Sequence, residues 1–275
     1  MLLSMDLNPM NNTTVQNADY GMSQKNYLVT VVIPLSRKKN KQTILETIQQ
    51  QDIDANIEVL FCEGGSSASE ARNKGINVAQ GKYIAFLDDD DTWHPSKLRK
   101  QVAILEKQPL VGLVTTWCED YRFSKKHIDA YPAYVYLYTL LRLFRYSSTS
   151  SYLVRKSTLD AVGYFDESFP SAQEYELAIR VAKQQQLYCV QEMLTSINKS
   201  EKQITSTLWK KRAGLVKLLQ KHKHLYTQYG FLDWLQFVCK FSGLFLLFCV
   251  PFLAYNCTTK IKQVFDESNN FCREI

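Results

Sequence analysis

Short apolar stretches alternate with longer amphipathic ones between residues 27 and 107. The short stretches are rich in β-branched residues, which is typical of strands buried in a parallel sheet. The longer ones carry apolar residues at helical spacing, as Leu98, Val102 and Leu105 do. The predicted strands are Tyr27–Leu35, Ile57–Cys62 and Tyr83–Leu87, and the predicted helices are Asn40–Gln51, Ser69–Val78 and Pro95–Lys107. This alternation predicts an α/β fold with a mostly parallel sheet flanked by helices.

The pattern between residues 108 and 200 is less regular. Further strands are predicted at Val111–Trp117 and Ser151–Arg155, and a further helix at Ala172–Gln184. The aromatic stretch Tyr131–Arg145 leaves two structures open, either a loop and helix that cover a site or a helix packed in the domain. We therefore assign residues 27–200 to one α/β domain.

Both ends of the chain depart from this pattern. Residues 1–26 are rich in Asn, Ser, Thr, Gln and Met without apolar periodicity, which predicts a disordered tail. Residues 201–275 predict a helical C-terminal extension, with a basic helix at Leu208–Leu225 and a strongly apolar stretch at Phe231–Tyr255. The cleanest apolar part, residues 241–255, is shorter than the roughly 20 residues that a bilayer span needs. We expect this extension to lie on a membrane surface, and the alternative is a helical pair packed on the domain.

Composition and charge indicate which class of protein this is and in which compartment we expect it. A hydrophobic content of 45% and a charged content of 22% are typical of a folded domain. The six Lys and Arg between residues 205 and 226, without any Asp or Glu, indicate an anionic neighbour for that segment alone. The seven cysteines form no Cys-x-x-Cys pair, which disfavours a disulfide framework or a structural zinc site. Because the first residues also lack a signal-peptide pattern, we expect a cytoplasmic protein.

Four aspartates, Asp88 to Asp91, follow the third predicted strand directly. Their mutual repulsion costs stability at the end of a buried strand unless a cation offsets it. Carboxylate oxygens are the ligands that Mg²⁺ and Mn²⁺ prefer, and alternate residues of an extended segment point the same way. Asp88 and Asp90 are therefore predicted to converge on one metal. The alternative is a solvated acidic turn that caps the helix beginning near Pro95.

Several stretches together resemble family 2 glycosyltransferases of the GT-A (Rossmann-like) fold over residues 27–200. They are Val31-Val32-Ile33-Pro34, Ala71-Arg72-Asn73-Lys74-Gly75-Ile76, Ala79-Gln80-Gly81-Lys82-Tyr83-Ile84-Ala85-Phe86-Leu87-Asp88-Asp89-Asp90-Asp91, Val162-Gly163-Tyr164-Phe165-Asp166-Glu167 and Gln173-Glu174-Tyr175-Glu176-Leu177. The resemblance implies that the third stretch carries the Asp-x-Asp motif. It also implies that the last stretch occupies the place of the acidic pair holding the catalytic base.

The resemblance implies roles for individual residues. Asp88 and Asp90 would hold Mg²⁺ or Mn²⁺, and Glu174 would deprotonate the acceptor hydroxyl. The residues expected to contact the donor are Pro34, Glu63, Arg72, Asp88 and Asp89. Two alternatives remain open, namely that Glu174 is a first-turn residue favoured by the helix dipole and that Arg72 is a surface arginine. Glu176 is the other carboxylate candidate for the base.

The function implied is inverting transfer of a hexosyl or related sugar from a nucleotide-diphosphate-sugar, with a UDP-sugar as the expected donor. We expect a glycan or lipid-linked hydroxyl acceptor, a place in polysaccharide or glycolipid synthesis at the cytoplasmic face of a membrane, and no nucleic-acid partner. Two departures from the family pattern favour an alternative, a relative that binds nucleotide-sugar without transfer. Cys62-Glu63 stands where Asp-Asp is usual, and the stretch from there to Ala71 is shortened. A nucleotidyltransferase ranks last, because Ser36-Arg37-Lys38-Lys39 lacks the glycines of a phosphate loop.

Overall fold

The computed structural model describes residues 2–8, 11–14, 26–35, 41–122, 126–143, 145–198 and 208–229. The chain divides into two units, Met1–Ser206 and Thr207–Ile275. The described part of the first unit is a mixed α/β unit around a single sheet. The described part of the second unit is one helix.

The strands of the first unit join into one sheet over its described residues. They are β1 (Leu2–Asn8), β2 (Asn11–Thr14), β3 (Val29–Leu35), β4 (Ile57–Glu63), β5 (Tyr83–Phe86), β6 (Thr92–Trp93), β7 (Val111–Asp120), β8 (His127–Asp129), β9 (Tyr134–Val135), β10 (Leu153–Arg155) and β11 (Gln186–Ile197). Their order is β2-β1-β4-β3-β5-β10-β7-β11-β6, with β8 beside β7 and β9 beside β11. The helices are α1 (Lys41–Gln49), α2 (Ala68–Val78), α3 (Lys97–Lys107), α4 (Leu137–Leu143), α5 (Lys156–Val162) and α6 (Gln173–Ala182).

The directions of the strands correct the prediction of a mostly parallel sheet. β3 is parallel to both β4 and β5, and β7 is parallel to β11. However, β10 lies between β5 and β7 and runs antiparallel to both. The short strands β6, β8 and β9 also pair antiparallel with their neighbours. The sheet is therefore mixed, because a buried apolar pattern does not reveal in which direction a short strand runs.

The N-terminal segment corrects a second prediction. β1 pairs antiparallel with β4, in a register from Leu2 opposite Cys62 to Leu7 opposite Ile57, and β2 pairs with β1. The prediction of a disordered tail is therefore wrong for the described residues 2–8 and 11–14. Pairing with the exposed edge of β4 satisfies backbone groups of a polar segment that has no core-forming pattern of its own.

The two faces of the sheet are covered by different helices. Val31 and Ile33 of β3 share an apolar cluster with Ile44 of α1 and Leu98 of α3. Successive side chains of a strand alternate between faces, so Val32 points to the other side. There it meets α2, where a Cβ at Gly75 would lie 2.5 Å from Val32 Cγ1. Only glycine at position 75 allows this close packing of α2 on the sheet.

Most predicted elements are confirmed to within a few residues, but the longest strand was missed. β11 spans 12 residues, and its central residues Gln191, Glu192 and Met193 are exposed where the register against β7 shifts. This irregularity hides the alternation that would reveal a strand. The stretch Tyr131–Arg145, for which the sequence allows two structures, contains β9 and the short helix α4.

The second unit contains α7 (Leu208–Tyr229), with non-helical backbone angles at His222. The basic helix predicted at Leu208–Leu225 is thereby confirmed. Trp209 is 76% exposed, and Lys210, Lys211 and Arg212 that follow it are exposed as well. No helix among the described residues is both long and apolar enough to cross a membrane. The apolar stretch Phe231–Tyr255 lies outside the described residues.

Candidate active site

Several strands end on the same side of the sheet, which we call the carboxyl edge. The carboxyl ends of β4, β3 and β5 meet there because these strands are parallel. β10 runs the other way, so the residues that precede it lie at this edge too. The register sets Leu153 opposite Ala85, and the 3₁₀ turn Thr149–Ser151 therefore lies beside the acidic loop that follows β5.

Arg72 faces the acidic loop and contacts its first aspartate. Its Nη2 donates to Asp88 Oδ1 at 2.5 Å, and its guanidinium lies 5.4 Å from the centre of the Phe165 ring. Arg72 is only 5% exposed, so the alternative of a surface arginine is wrong. Its Nε has no hydrogen-bond partner among the described residues. The guanidinium is thus buried and only partly used within the protein, which leaves capacity for an anionic ligand.

The four aspartates divide into different environments. Asp91 is 5% exposed and accepts hydrogen bonds from the Ser150 hydroxyl and, at 3.0 Å, from the backbone N–H of Asn198. Burial, and next the neighbouring Asp88, raise the pKa of Asp91 well above its usual range. Asp89 and Asp90 are partly exposed. The solvated acidic turn is therefore wrong for Asp91, and α3 begins after Ser96 without a side-chain cap from this loop.

The acidic loop fits a divalent cation only when the substrate supplies part of the coordination shell. The described residues contain no group of three His, Cys, Asp or Glu side chains arranged to hold a metal. Asp88 and Asp90, predicted as the ligands, offer hard carboxylate oxygens that are partly exposed at the strand end. Mg²⁺ is commonly held by one or two carboxylates together with phosphates and water. The two aspartates match this shared coordination by protein and phosphate, rather than a site in which protein side chains supply all the ligands.

Glu174 lies in the first turn of α6, two residues after a strained position. Ala172, at the N-cap, has a φ of 62°, in the left-handed region. The Tyr152 hydroxyl shares its proton between the Tyr146 carbonyl at 2.8 Å and the Glu174 carbonyl at 3.3 Å, and the second, longer contact ties this turn to the residue before β10. Protein surrounds the carboxyl, although part of the residue stays accessible, and this burial raises the pKa of Glu174.

The charges around Glu174 belong to the acidic loop and its neighbours. Arg72 and Arg122 lower the pKa of Glu174, whereas Asp88 raises it. These groups are therefore close enough to interact with the Glu174 carboxyl electrostatically. The structure brings the predicted base, the predicted donor-binding arginine and the predicted metal ligand Asp88 into one region.

Glu176, the other candidate for the base, has a different role. It is fully buried, and Arg180 Nε donates to its Oε1 at 3.0 Å and to its Oε2 at 2.9 Å. Arg180 also donates from Nη1 to the Val162 and Gly163 carbonyls at 2.7 and 2.6 Å. Glu176 thus orients the arginine that holds the end of α5, and its carboxylate is committed to that pair.

Asn73 joins two of the stretches that carried the family resemblance. Its Nδ2 donates to the Phe165 carbonyl at 2.9 Å, and its Oδ1 accepts the Phe165 N–H at 3.0 Å. The same Nδ2 lies 2.8 Å from Glu167 Oε1. Because Phe165 packs edge-on against Phe86 at 5.2 Å, this clamp also sets the ring that supports Arg72.

The other predicted donor-binding residues lie at the ends of β3 and β4. Pro34 is buried within β3 opposite Cys62, and Glu63 ends β4 with its carboxylate 2.8 Å from Lys41 Nζ. Cys62 is 1% exposed and faces α2, where its Sγ would lie 2.8 Å from a Cβ at Gly75. Burial raises the pKa of its thiol to about 11. Cys62 is therefore a core residue, and Glu63 is the residue of this pair that reaches the open edge.

Three residues of this edge were not predicted from the sequence. Ser150 and Asn198 hold Asp91, and Arg122 forms a two-point ion pair with Asp120, with Nε and Nη2 donating at 2.9 and 2.6 Å. The run of Ser and Thr at residues 147–151 is a loop signal, but nothing in it indicates that Ser150 contacts Asp91, 59 residues away in the chain. These contacts follow from the antiparallel β10 and from the missed strand β11.

Comparison with known proteins identifies the family. The model of the family named glycosyl transferase family 2 matches residues 22–164, just over half of the chain. The chain belongs to glycosyl transferase family 2. The matched region of this family 2 member contains the acidic loop, Arg72 and Glu63, and it ends before Glu174.

Individual relatives agree with this assignment. The amylovoran biosynthesis glycosyltransferase AmsB of Erwinia amylovora is 28% identical over 177 residues, which cover 58% of this family 2 member and 56% of AmsB. The chain spans less than two thirds of the length of AmsB and of three further relatives that it matches.

Solved structures share the fold of this family 2 member. Residues 1–349 of S. aureus TarS, crystallised in complex with UDP-GlcNAc, align at a TM-score of 0.56 and 14% identity, covering 70% of this chain and 66% of that one. The mannosyltransferase PcManGT from Pyrobaculum calidifontis, in complex with GDP-Man and Mn²⁺, aligns at 0.53 and 14%, covering 73% and 65%. These likenesses support the mixed α/β arrangement of the GT-A prediction.

Proposed function

We propose that this chain is an inverting glycosyltransferase that moves a sugar from a nucleotide-diphosphate-sugar to a hydroxyl acceptor. The observation that carries the proposal is the convergence of Glu174, Arg72 and Asp88 at the carboxyl edge of parallel strands. Such an edge is where open α/β sheets bind nucleotides. Membership of glycosyl transferase family 2 supports the reaction class.

Arg72 and Glu63 are proposed to bind the donor directly, without the metal ion. The buried guanidinium of Arg72 can donate to a diphosphate oxygen through atoms not used by Asp88. Glu63, at the end of β4, can accept hydrogen bonds from a nucleoside. A UDP-sugar is the proposed donor, a choice supported by the complex of TarS with UDP-GlcNAc. The complex of PcManGT with GDP-Man keeps a guanosine donor as the alternative.

Glu174 is proposed as the general base. Its carboxylate takes the proton of the acceptor hydroxyl while the acceptor oxygen forms a bond to the anomeric carbon. The bond from that carbon to the diphosphate oxygen breaks, and the nucleoside diphosphate leaves with the electron pair. One base on the face opposite the leaving group produces inversion. The enclosed carboxyl of Glu174 suits this role because burial favours its protonated form and so strengthens it as a base.

Asp88 and Asp90 are the residues proposed to hold Mg²⁺ or Mn²⁺. The neighbouring Asp89 is proposed to contact the donor. A bound cation would offset the charge that develops on the departing diphosphate. The complex of PcManGT with Mn²⁺ supports this choice of ion. Before the cation and donor bind, Arg72 balances part of the charge of Asp88.

The acceptor is proposed to be a growing glycan or a lipid-linked sugar in polysaccharide or glycolipid synthesis. The role of AmsB in amylovoran biosynthesis, as its name states, supports this class. We further propose that the C-terminal unit rests on the cytoplasmic face of a membrane. The exposed Trp209 beside Lys210, Lys211 and Arg212 suits an anionic headgroup layer. Replacing the three basic residues by Gln should release the full chain from anionic vesicles in co-sedimentation. Failure of the wild-type chain to co-sediment would refute the membrane proposal, and unchanged binding of the variant would refute the role of these three residues.

The reaction is tested with the purified protein and a panel of nucleotide-sugars in the presence of Mn²⁺ or Mg²⁺. We expect metal-dependent turnover of one donor that is lost in Asp90→Ala and Glu174→Gln. Glu106→Gln is a matched control, because Glu106 pairs with Lys82 just before β5 begins, at the opposite edge of the sheet. Metal-dependent UDP binding without turnover on any acceptor would favour the nucleotide-sugar-binding relative. Absence of both binding and turnover would refute the proposal.

A further inference from the structure

Ser150 makes hydrogen bonds to three residues of the segment that follows β5. Its hydroxyl accepts the backbone N–H of Asp88 at 3.1 Å and donates to Asp91 Oδ2 at 2.5 Å. Its carbonyl accepts the indole N–H of Trp93 at 2.7 Å. Ser150 is fully buried, so each of these bonds is shielded from water.

Hydrogen bonds from α3 hold the turn that carries Ser150. Gln101 Nε2 donates to the Ser151 carbonyl at 2.8 Å and to the Val114 carbonyl at 2.9 Å, which joins the turn to β7. The buried Lys97 donates to Gln101 Oε1 at 2.8 Å, and its Nζ lies 4.1 Å from the centre of the Trp93 ring. Because these partners belong to α3 and the sheet, hydrogen bonds to both help to fix the position of Ser150.

The Ser150 bonds decide which aspartates face outward. Four adjacent carboxyl groups repel one another when they are ionised, so a compact arrangement of the loop requires groups that offset this repulsion. Ser150 and the backbone N–H of Asn198 hold the Asp91 carboxylate inside, while the side chain of Asn198 donates to the Asp90 carbonyl at 3.0 Å. With Asp91 turned inward, Asp88 and Asp90 remain partly exposed at the strand end.

We propose that Ser150 is a positioning residue that holds the acidic loop in the conformation presenting Asp88 and Asp90, and that Asp91 is its anchor rather than a metal ligand. The link to metal binding rests on the proposed function. The conformational part does not, because it concerns only bonds among the protein's own residues.

The test compares Ser150→Ala with Thr30→Val, a control with the same kind of hydrogen bonds. Thr30 Oγ1 accepts the backbone N–H of Gly81 at 2.8 Å and donates to Glu58 at 2.6 Å. Thr30 is buried as completely as Ser150, but it lies near the amino end of β3, away from the acidic loop. Both variants lose a buried hydroxyl, so both should show a lower melting temperature.

Two readouts separate positioning from general stability. Hydrogen exchange of a peptide over residues 86–93, measured without ligand, should become faster in Ser150→Ala and stay unchanged in Thr30→Val. The affinity for Mn²⁺, measured by calorimetry in the presence of UDP, should fall about tenfold in Ser150→Ala alone, the loss typical of removing a group that orients metal ligands. Ser150→Cys keeps a weak hydrogen-bond donor in a slightly larger side chain. Its values should lie between those of the wild type and Ser150→Ala, and it covers the case in which Ser150→Ala does not fold.

Unchanged exchange of residues 86–93 in the serine variants would overturn the inference whether or not the protein binds a metal. An equal acceleration in Thr30→Val would overturn it as well, because the effect would then be general. Wild-type protein that binds no Mn²⁺ with UDP, yet shows the selective acceleration, would refute the metal part of the proposed function and leave the role of Ser150 in the loop standing.

Discussion

Arg72 and Asp88, 16 residues apart in the chain, form an ion pair with 2.5 Å between Nη2 and Oδ1. The arginine comes from α2 and the aspartate from the loop after β5, so the pair spans the edge at which the donor is proposed to bind. The same guanidinium rests on Phe165, which Asn73 holds in place. In the protein without ligands, Arg72 is therefore the ion-pair partner of Asp88. It competes with any metal ion that Asp88 would bind.

Replacing Arg72 by Gln should change two affinities in opposite directions. Mn²⁺ alone should bind several-fold more tightly, because the competing guanidinium is gone. UDP in the presence of Mn²⁺ should bind about tenfold more weakly, since a hydrogen bond to a charged group contributes roughly 1.5–3 kcal/mol. Isothermal titration calorimetry measures both, with Lys74→Gln as a control for a cation on the same helix that pairs with Glu70. A parallel fall of both affinities would contradict the competition.

The pH dependence of turnover should report Glu174. Burial, assisted by Asp88, raises the pKa of this carboxyl above its usual value of 4.5, while Arg72 and Arg122 lower it. A base acts only when it is deprotonated, so activity should fall as pH decreases through the raised pKa. Arg122→Gln removes a charge that lowers the pKa, so it should move this acidic limb to higher pH. The pH profile of kcat at saturating metal checks the direction, and a shift to lower pH would contradict it.

The raised pKa of Glu174 also predicts how the stability of the protein depends on pH, which can be tested without an activity assay. A carboxyl whose pKa is raised on folding adds stability below its unfolded pKa, and that contribution is lost as pH rises through the folded pKa. The free energy of unfolding of Glu174→Gln should therefore improve relative to wild type as pH rises from 4 towards neutrality, roughly over the range between the two pKa values. Urea unfolding across this range measures the difference, and a difference that is independent of pH would show that the carboxyl is not perturbed.

Glu176→Gln should destabilise the protein without a specific effect on ligand binding. The variant leaves the largely buried Arg180 without a countercharge, and breaking a buried ion pair costs roughly 3 kcal/mol. Lys156 and Asp160 form an ion pair at the same helical spacing but in an exposed setting, so Asp160→Asn should cost less than about 1 kcal/mol. Urea unfolding at neutral pH compares the two, and equal costs would argue against the structural role of Glu176.

Restoring an acidic residue at position 62 should not improve donor binding. Cys62 faces α2 in the core, so Cys62→Asp would bury an unpaired carboxylate at a cost of at least about 2 kcal/mol. UDP affinity should stay the same or fall, whereas Glu63→Gln at the open end of β4 should weaken it. Calorimetry together with thermal unfolding tests both variants. A clear gain in UDP affinity for Cys62→Asp would show that this side chain reaches the donor.

The sequence by itself determined the strands and helices that carry the site. β3, β4 and β5 read as buried strands because their apolar residues are continuous, and the acidic run directly follows the last of them. Since parallel strands end at one edge, the meeting of Glu63 and the acidic run at that edge could be predicted from strand order alone. Glu174 was found through the family resemblance, as one of two carboxylates that the local pattern could not tell apart.

Only the tertiary structure decided which groups hold the site in shape. It paired Glu176 with Arg180, turned Cys62 into the core, and set Ser150 and Asn198 against Asp91. It also paired β1 with β4 and inserted β10 antiparallel between two parallel strands. The physical reason is that a side-chain pattern reports which residues are buried along one segment. Contacts between distant segments depend on strand direction and register, which are set by the packing of the whole unit.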